Sequence, residues 1–219
     1  MKRQRLSGTR SDTMLYTFAR FILFLLFKIF FRLKVFGRKN FPEKGPLIVA
    51  SNHVSFLDPM IAGTAAPRKL IYLARDTLFR FRPFGYILNR VNAFPLKRGK
   101  GDLAAFRLAL GKLSEGQAVL VFPEGTRSGD GNLQASKSGV GFLHSISKAA
   151  ILPCYLKGSM EAWPRHSRFP RHSTISVHFG KPLRFDKDFS GNKKESYLII
   201  AREIMKAIAE LKIYADKNS

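Results

Sequence analysis

After Gly37 the sequence alternates short apolar runs with longer stretches of helical periodicity, and this alternation limits the fold more than any other feature. Runs of four to six mostly apolar residues predict strands, and apolar residues spaced three and four apart predict helices. The predicted strands are Leu47–Ser51, Leu70–Ala74, Ala93–Leu96, Ala118–Phe122, Ile151–Leu156 and Ile175–Phe179. The predicted helices are Pro59–Ala65, Asp102–Ser114, Gly139–Ala149 and Glu195–Tyr214. This order predicts an α/β fold in which a mixed, largely parallel sheet is flanked by helices.

The segment before this alternation is apolar and aromatic from Met14 to Phe36 and follows a basic arm at residues 2–10. A membrane span needs roughly 20 largely apolar residues, and four cations interrupt this stretch. On a helix of about 100° per residue those cations fall within an arc of about 160°. They are Arg20, Lys28, Arg32 and Lys34. The opposite arc carries Leu15, Phe18, Ile22, Leu25, Leu26, Ile29, Phe30 and Leu33. This pattern predicts an amphipathic helix that lies on a membrane surface.

Two other interpretations of this segment stay open. The helix can pack on the core of the protein itself, or the short apolar stretch Phe21–Phe27 can belong to a signal peptide or a true membrane span. No small-residue cleavage site follows that stretch, because the next residues are Lys28-Ile29-Phe30-Phe31-Arg32.

The charge of the chain narrows the class of partner. Lys and Arg number 38 against 15 Asp and Glu, which gives a formal net charge of +23. Such an excess indicates nucleic acid or an anionic membrane as the partner, and the 20 Phe residues favour lipid. The sequence has no recognisable helix-turn-helix, zinc-finger or RNA-binding signature, so no nucleic-acid partner is expected. The single cysteine, Cys154, excludes an intramolecular disulfide, and its apolar neighbours predict a buried thiol.

The first group of polar residues suited to catalysis follows the predicted strand Leu47–Ser51. His53 lies at the carboxyl end of that strand, where open α/β sheets place their sites. Histidine is the side chain best suited to take a proton near neutral pH, and Asp58, five residues on, can orient its ring. The alternative is that Asp58 caps the next helix, with Pro59 in its first turn.

Two further polar turns follow predicted strands. The segment Phe122–Ser128 contains Glu124, Thr126 and Arg127, and its Gly125 allows backbone amides to approach a ligand. The segment Phe94–Lys100 carries Lys97, Arg98 and Lys100, a set of cations that suits a phosphate group.

Taken in order, these segments resemble the four sequence blocks of the 1-acylglycerol-3-phosphate O-acyltransferase family, the glycerolipid acyltransferases of the PlsC type. The Asn-His-x-Ser-x-x-x-Asp block is matched by Asn52, His53, Ser55 and Asp58, and the Phe-Pro-Glu-Gly-Thr-Arg-Ser block by Phe122–Ser128. The other two blocks are matched by Phe94–Arg98 and by Ile151–Cys154. Asn92 and Lys97 depart from the usual pattern and leave the fine substrate preference open.

The resemblance implies an enzyme that moves a fatty acyl group from acyl-CoA or acyl carrier protein to the free hydroxyl of 1-acylglycerol-3-phosphate, giving phosphatidic acid. It implies that His53 is the general base, that Asp58 orients it, and that Arg98 binds the acceptor phosphate. Pro153 is implied to shape the acyl pocket. The remaining residues that the resemblance assigns to substrate binding are Asn52, Ser55, Glu124, Gly125, Thr126 and Arg127. It implies no cofactor and no metal.

These expectations give the chain two parts, a basic arm and membrane-associating helix at residues 1–36 and an acyltransferase domain at residues 37–219. The expected location is the cytoplasmic face of a membrane, with peripheral or monotopic attachment. Alternative acceptors are glycerol-3-phosphate, a lyso-aminolipid or another lysophospholipid. A more distant alternative is a non-catalytic protein that binds anionic lipid or nucleic acid.

Overall fold

A computed structural model describes residues 10–80, 85–86, 88, 92–96, 102–164, 167–185 and 192–218. Within these residues seven strands form one sheet, in the order β1-β7-β6-β2-β5-β3-β4. The strands are β1 Lys34–Phe36, β2 Leu47–Ser51, β3 Leu70–Arg75, β4 Ala93–Leu96, β5 Ala118–Val121, β6 Ala150–Lys157 and β7 Ser176–Phe179. The five strands from β6 to β4 run parallel, and β1 and β7 run parallel to each other but antiparallel to the rest.

Helices cover both faces of the sheet. They are α1 Arg10–Phe30, α2 Asp58–Ala65, α3 Asp102–Ser114, α4 Gly139–Ser147, α5 Ser159–Ala162 and α6 Lys193–Asn218. Side chains of α1, α2 and α5 pack in one buried cluster, and those of α3, α4 and α6 pack in a second cluster. The predicted α/β architecture, a largely parallel sheet between helices, is therefore confirmed.

The central strand β2 shows why its sequence is a continuous apolar run. Leu47 and Val49 belong to the first cluster, and Ile48 and Ala50 belong to the second. A parallel strand that is buried on both faces favours apolar side chains along its length. Strand β2 is therefore packed on both faces, and this packing fixes the position of the chain that leaves its carboxyl end.

The short edge strand β1 was not predicted. The sequence predicts the helical segment as far as Phe36, but α1 ends at Phe30, and the Leu33 amide donates back to the Phe27 carbonyl at 3.1 Å. Arg32 takes the left-handed conformation of this helix end, with φ 45°, although glycine is the usual residue there. Residues 34–36 then pair with β7. The division of the chain at residue 36 stays a prediction, but these three residues contribute to the sheet.

Helix α1 is apolar on two sides. Its inner side packs on the core through Leu23, Phe24 and Phe27, and the Arg20 guanidinium donates to the Ala66 carbonyl at 3.0 Å. Its outer side leaves a set of large apolar residues exposed, namely Phe18, Phe21, Ile22, Leu25, Leu26, Ile29 and Phe30. We call these seven residues the outer face of α1. No helix within the described ranges has an apolar stretch long enough to cross a bilayer.

Candidate active site

His53 and Asp58 meet in the turn that leaves the carboxyl end of β2. The Nδ1 atom of His53 lies 2.8 Å from Oδ2 of Asp58. The Asp58 side chain is completely buried, whereas the His53 side chain is 18% exposed. When Nδ1–H donates to the carboxylate, Nε2 carries the free lone pair and can accept a proton. The geometry therefore orients the His53 ring so that its Nε2 atom is not used by Asp58.

The contacts of Asp58 distinguish its two interpretations. Its Oδ2 atom also accepts hydrogen bonds from the backbone amides of Val54 and Ser55, each at 2.7 Å. A capping side chain would instead accept amides of the first helical turn, but Asp58 is itself the first residue of α2 and Leu57 occupies the N-cap position. Asp58 is thus turned back toward His53, and the capping interpretation is wrong.

The His53 ring is also held from the side. It stacks on the Phe122 ring with a centroid distance of 3.9 Å and an interplanar angle of 16°. Phe122 directly follows β5, which is hydrogen-bonded to β2 in the sheet. Adjacent parallel strands therefore bring His53 and Phe122 together. The His53 ring is held by Phe122 at one face and by Asp58 at Nδ1.

Glu124 connects the turn at residues 122–128, which we call the second turn, to the backbone of His53. Its Oε1 atom accepts the His53 amide at 3.0 Å, its Oε2 atom accepts the Gln134 amide at 3.3 Å, and the Ser128 amide donates to the His53 carbonyl at 2.8 Å. Burial raises the pKa of Glu124, although the hydrogen bonds from His53 and Gln134 lower it and the charge of Asp58 raises it. In this structure Glu124 therefore holds the His53 backbone in place.

The tip of the second turn is open to solvent. Gly125 has φ 71°, and a methyl group added there would come within 2.9 Å of the Lys137 side chain, so the lysine lies across the glycine. Thr126 is exposed, and the Arg127 guanidinium lies 3.5 Å from the centre of the Phe56 ring. The structure thus places the exposed Thr126 and the cation of Arg127 on the turn next to His53, and a second cation, Lys137, lies across that turn.

Asn52 and Ser55 are buried and bonded within the protein. The Asn52 amide donates to the Leu156 carbonyl at 3.0 Å and accepts the Leu156 amide at 2.8 Å, which attaches the turn to β6. The Ser55 hydroxyl donates to the Trp163 carbonyl at 2.9 Å and accepts the Leu57 amide at 3.2 Å. Their assignment to substrate stays a prediction, whereas their observed contacts fix the shape of the turn at residues 52–58, which we call the catalytic turn for its proposed role.

Pro153 lies in β6 opposite Ala50 of β2 and is buried. Its carbonyl accepts the Gly180 amide at 2.9 Å, and its ring nitrogen has no hydrogen to donate in return, which fits the end of β7 one residue earlier. The implied contact of Pro153 with an acyl chain stays a prediction. Arg98, with Lys97 and Lys100, lies outside the described residues.

Two site residues were missed by the sequence reasoning, although both lie inside the quoted blocks. Phe56 supports Arg127, and Phe122 supports His53. A sequence motif does not tell which aromatic ring faces a charged group. No cluster of three or more His, Cys, Asp or Glu side chains in the described part of the chain is placed to hold a metal ion.

The fold and the His53–Asp58 pair together define an α/β protein that presents an oriented base at the carboxyl ends of its parallel strands. The family model described as Acyltransferase matches residues 32–157, which is more than half of the chain. The chain belongs to the acyltransferase family.

Similar proteins carry more specific names. The chloroplastic 1-acyl-sn-glycerol-3-phosphate acyltransferase of Arabidopsis thaliana is 27% identical over 162 residues, which cover 72% of this chain and 45% of that protein. The 1-acyl-sn-glycerol-3-phosphate acyltransferase of Bacillus subtilis is 27% identical over 126 residues, covering 57% of this chain and 62% of that protein. The chain therefore spans less than two thirds of the length of these two relatives.

A solved structure shares the architecture. The crystal structure of the 1-acyl-sn-glycerophosphate acyltransferase PlsC from Thermotoga maritima aligns with a TM-score of 0.74 at 19% identity. The alignment covers 94% of this chain and 84% of that chain. At this level of identity the likeness shows the fold, and it agrees with the sheet and helices described above.

Cys154 provides a test of packing beside the site. Its thiol is completely buried in β6, and burial raises its pKa to about 12. Because the thiolate is the reactive form, we expect no labelling of the native protein by a water-soluble thiol reagent at mildly alkaline pH. We expect one thiol per chain to react after denaturation. Rapid labelling of the native protein would contradict the observed packing.

Proposed function

We propose that this chain transfers a fatty acyl group from an acyl thioester to the free hydroxyl of 1-acylglycerol-3-phosphate, giving phosphatidic acid. The observation that carries the proposal is the oriented base: His53 Nδ1 lies 2.8 Å from a buried Asp58 carboxylate, and the other nitrogen of the ring is left for a substrate. The names of the relatives in Arabidopsis thaliana and Bacillus subtilis support the choice of acceptor.

In the proposed reaction His53 Nε2 takes the proton of the acceptor hydroxyl as its oxygen attacks the thioester carbonyl. The carbon–oxygen bond forms, the carbon–sulfur bond of the tetrahedral intermediate breaks, and the thiol leaves with the proton that His53 returns. Asp58 stabilises the imidazolium that exists between these two steps. No acyl-enzyme, cofactor or metal is part of this sequence.

The second turn is the proposed site of the acceptor headgroup. Thr126 is exposed, Arg127 lies on the Phe56 ring, and the Lys137 side chain lies across Gly125. Guanidinium groups bind phosphate with two parallel hydrogen bonds, so Arg127 suits the phosphate of the acceptor. Arg98 is proposed as a second phosphate ligand on the sequence resemblance alone.

The experiment that tests this function is a panel of acceptors and donors with the purified full chain. We expect acyl transfer to 1-acylglycerol-3-phosphate to exceed transfer to glycerol-3-phosphate and to lysophosphatidylcholine. Acyl-CoA and acyl carrier protein, compared with one acceptor, identify the donor. If only glycerol-3-phosphate is acylated, the proposed acceptor is wrong. If no pair of donor and acceptor gives transfer, the proposal that this chain is an acyltransferase enzyme is contradicted.

We also propose that the outer face of α1 lies on an anionic bilayer. Its seven large apolar side chains are exposed, and basic residues at positions 28 and 32 lie beside them in the sequence. An exposed apolar face next to cations is typical of helices that lie in the headgroup region. The proposed location is the cytoplasmic membrane face, where the soluble acyl donors are available.

Replacing Phe18, Leu26 and Ile29 by serine is expected to weaken vesicle binding by about 10²-fold, at roughly fivefold for each partly inserted side chain. The melting temperature should stay close to wild type, because these three side chains are exposed. Deletion of residues 1–34 is a poorer test, since it also removes Phe27, Phe31 and Leu33 from the core. Co-sedimentation with anionic vesicles measures the effect.

The matched control uses exposed apolar residues of the opposite sheet face. Leu103, Ile146 and Ile213 are about as exposed and belong to α3, α4 and α6, so their replacement by serine should leave vesicle binding unchanged. Equal losses in the two triple variants would contradict a specific role for α1.

A further inference from the structure

A short basic and aromatic loop, residues 167–172, lies between the catalytic turn and α1. We call it the interfacial loop. Its Phe169 is 67% exposed, and Arg168, Arg171 and His172 are exposed with it. The sequence from 163 to 175 holds three Arg and no Asp or Glu. An exposed large aromatic side chain among cations suits a partner that is both apolar and anionic.

One end of the loop is fixed to the catalytic turn. The Trp163 carbonyl accepts the Ser55 hydroxyl at 2.9 Å, and the Trp163 ring lies 6.1 Å from the Phe56 ring. The Trp163 indole N–H then donates to the Ser167 carbonyl at 3.0 Å. Ser55 lies two residues from His53, so the interfacial loop begins beside the site of the proposed reaction.

The other end of the loop is fixed to α1. The His172 ring lies 5.9 Å from the Phe30 ring, and the Ile175 amide donates to the Phe31 carbonyl at 2.9 Å. Phe30 belongs to the outer face of α1. The outer face of α1 therefore contacts the interfacial loop through Phe30 and His172.

The loop is ordered by its own hydrogen bonds. The Ser167 hydroxyl donates to the Phe169 carbonyl at 2.7 Å, and the Ser167 amide donates to the Pro164 carbonyl at 3.1 Å. The Arg171 amide donates to the Ala162 carbonyl at 2.7 Å. These bonds hold Phe169 outward in solvent, where burial of its ring in another phase gains free energy with little loss of loop entropy.

We propose that the interfacial loop is a second contact of this protein with an anionic phospholipid bilayer. Phe169 enters the headgroup region, and Arg168 and Arg171 bind lipid phosphates on either side of it. The bilayer is favoured over an acidic protein because the loop contacts the exposed outer face of α1 and itself exposes a large aromatic ring. Membrane contact by this loop does not depend on the proposed function. Its consequence does rest on that function: a lipid acceptor would reach His53 along the membrane surface.

The direct test depends on the native cysteine, Cys154, being unreactive. Because Cys154 is buried, Phe169→Cys creates a single reactive thiol for an environment-sensitive fluorophore. Mixed phosphatidylcholine and phosphatidylglycerol vesicles should shift the emission of this label to shorter wavelength. The same label at Ile146→Cys, 55% exposed on α4, should not respond. A label at Phe18→Cys reports α1 separately, so a response there without one at position 169 overturns the loop proposal and leaves α1 binding intact.

The charge test compares two double variants that each lose two cations. Arg168→Gln with Arg171→Gln should weaken vesicle affinity by about fivefold for each arginine, and the loss should shrink in high salt. Arg202→Gln with Lys206→Gln, exposed on α6 across the sheet, should bind as wild type. Transfer to a short-chain monomeric acceptor should be the same in both variants. The proposal is overturned if the loop variant binds vesicles as tightly as wild type. This includes the case in which that variant loses rate only with acyl carrier protein as donor.

Discussion

Replacement of His53 by alanine is expected to lower the rate of acyl transfer by about 10²–10⁴, the usual contribution of general acid–base catalysis. The acceptor hydroxyl is a poor nucleophile until its proton is removed, and His53, which contacts Asp58 at 2.8 Å, is the group proposed to remove it. The affinity for acceptor should change much less, because the proposed headgroup contacts lie on the second turn. Steady-state rates with 1-acylglycerol-3-phosphate and acyl-CoA measure the loss.

His53→Gln distinguishes catalysis from structure. Glutamine retains a polar group that can donate to Asp58, but it cannot accept a proton near neutral pH. We therefore expect His53→Gln to lose about as much activity as His53→Ala while it unfolds at the same urea concentration as wild type. Wild-type transfer by either variant would sink the proposed role of His53, and recovery in His53→Gln alone would make that role structural.

Asp58→Asn is expected to reduce the rate by about 10² or more and also to destabilise the fold. The asparagine carbonyl can still accept from His53, Val54 and Ser55, but a neutral amide no longer stabilises the imidazolium. Its NH₂ group then replaces Oδ1, which is buried without a hydrogen-bond partner among the described residues. Two buried unsatisfied donors cost about 1–3 kcal/mol each.

The two effects of Asp58→Asn are separated by measuring activity and urea unfolding on the same preparation. The matched control is Asp216→Asn, since Asp216 is a half-exposed aspartate paired with Lys157 on the far side of the protein from α1. We expect it to leave the rate unchanged and to change stability by under about 1 kcal/mol. An Asp58→Asn protein with normal rate but reduced stability would leave Asp58 a purely structural residue.

Most of the regular structure could be predicted from the sequence, because apolar periodicity is a local property. The predicted strands Leu47–Ser51 and Ala93–Leu96 and the predicted helix Asp102–Ser114 agree with the structure residue for residue. The prediction was wrong at α1, whose end depends on a left-handed Arg32, and at β1, which is a strand only because β7 lies beside it. Neither event has a local sequence signal.

The chemistry of the candidate site was predictable from the sequence, but the contacts that each of its residues makes were not. The sequence placed His53 and Asp58 together, and it placed Glu124, Asn52 and Ser55 on the same turns without telling what each contacts. The contacts join residues that are far apart in the chain: 71 positions separate His53 from Glu124, 104 separate Asn52 from Leu156, and 108 separate Ser55 from Trp163. Such pairs depend on the strand order of the sheet.

The sequence by itself determined the family, the α/β class and the oriented histidine, because each follows from residues close together in the chain or from blocks in a fixed order. The tertiary structure decided which polar groups are buried in hydrogen bonds and which stay open to a substrate. It also decided that α1 has one face on the core and one face exposed, and that the loop 167–172 lies beside it. The physical reason is that burial and long-range hydrogen bonds are set by the packing of the sheet and its helices, which no local pattern specifies.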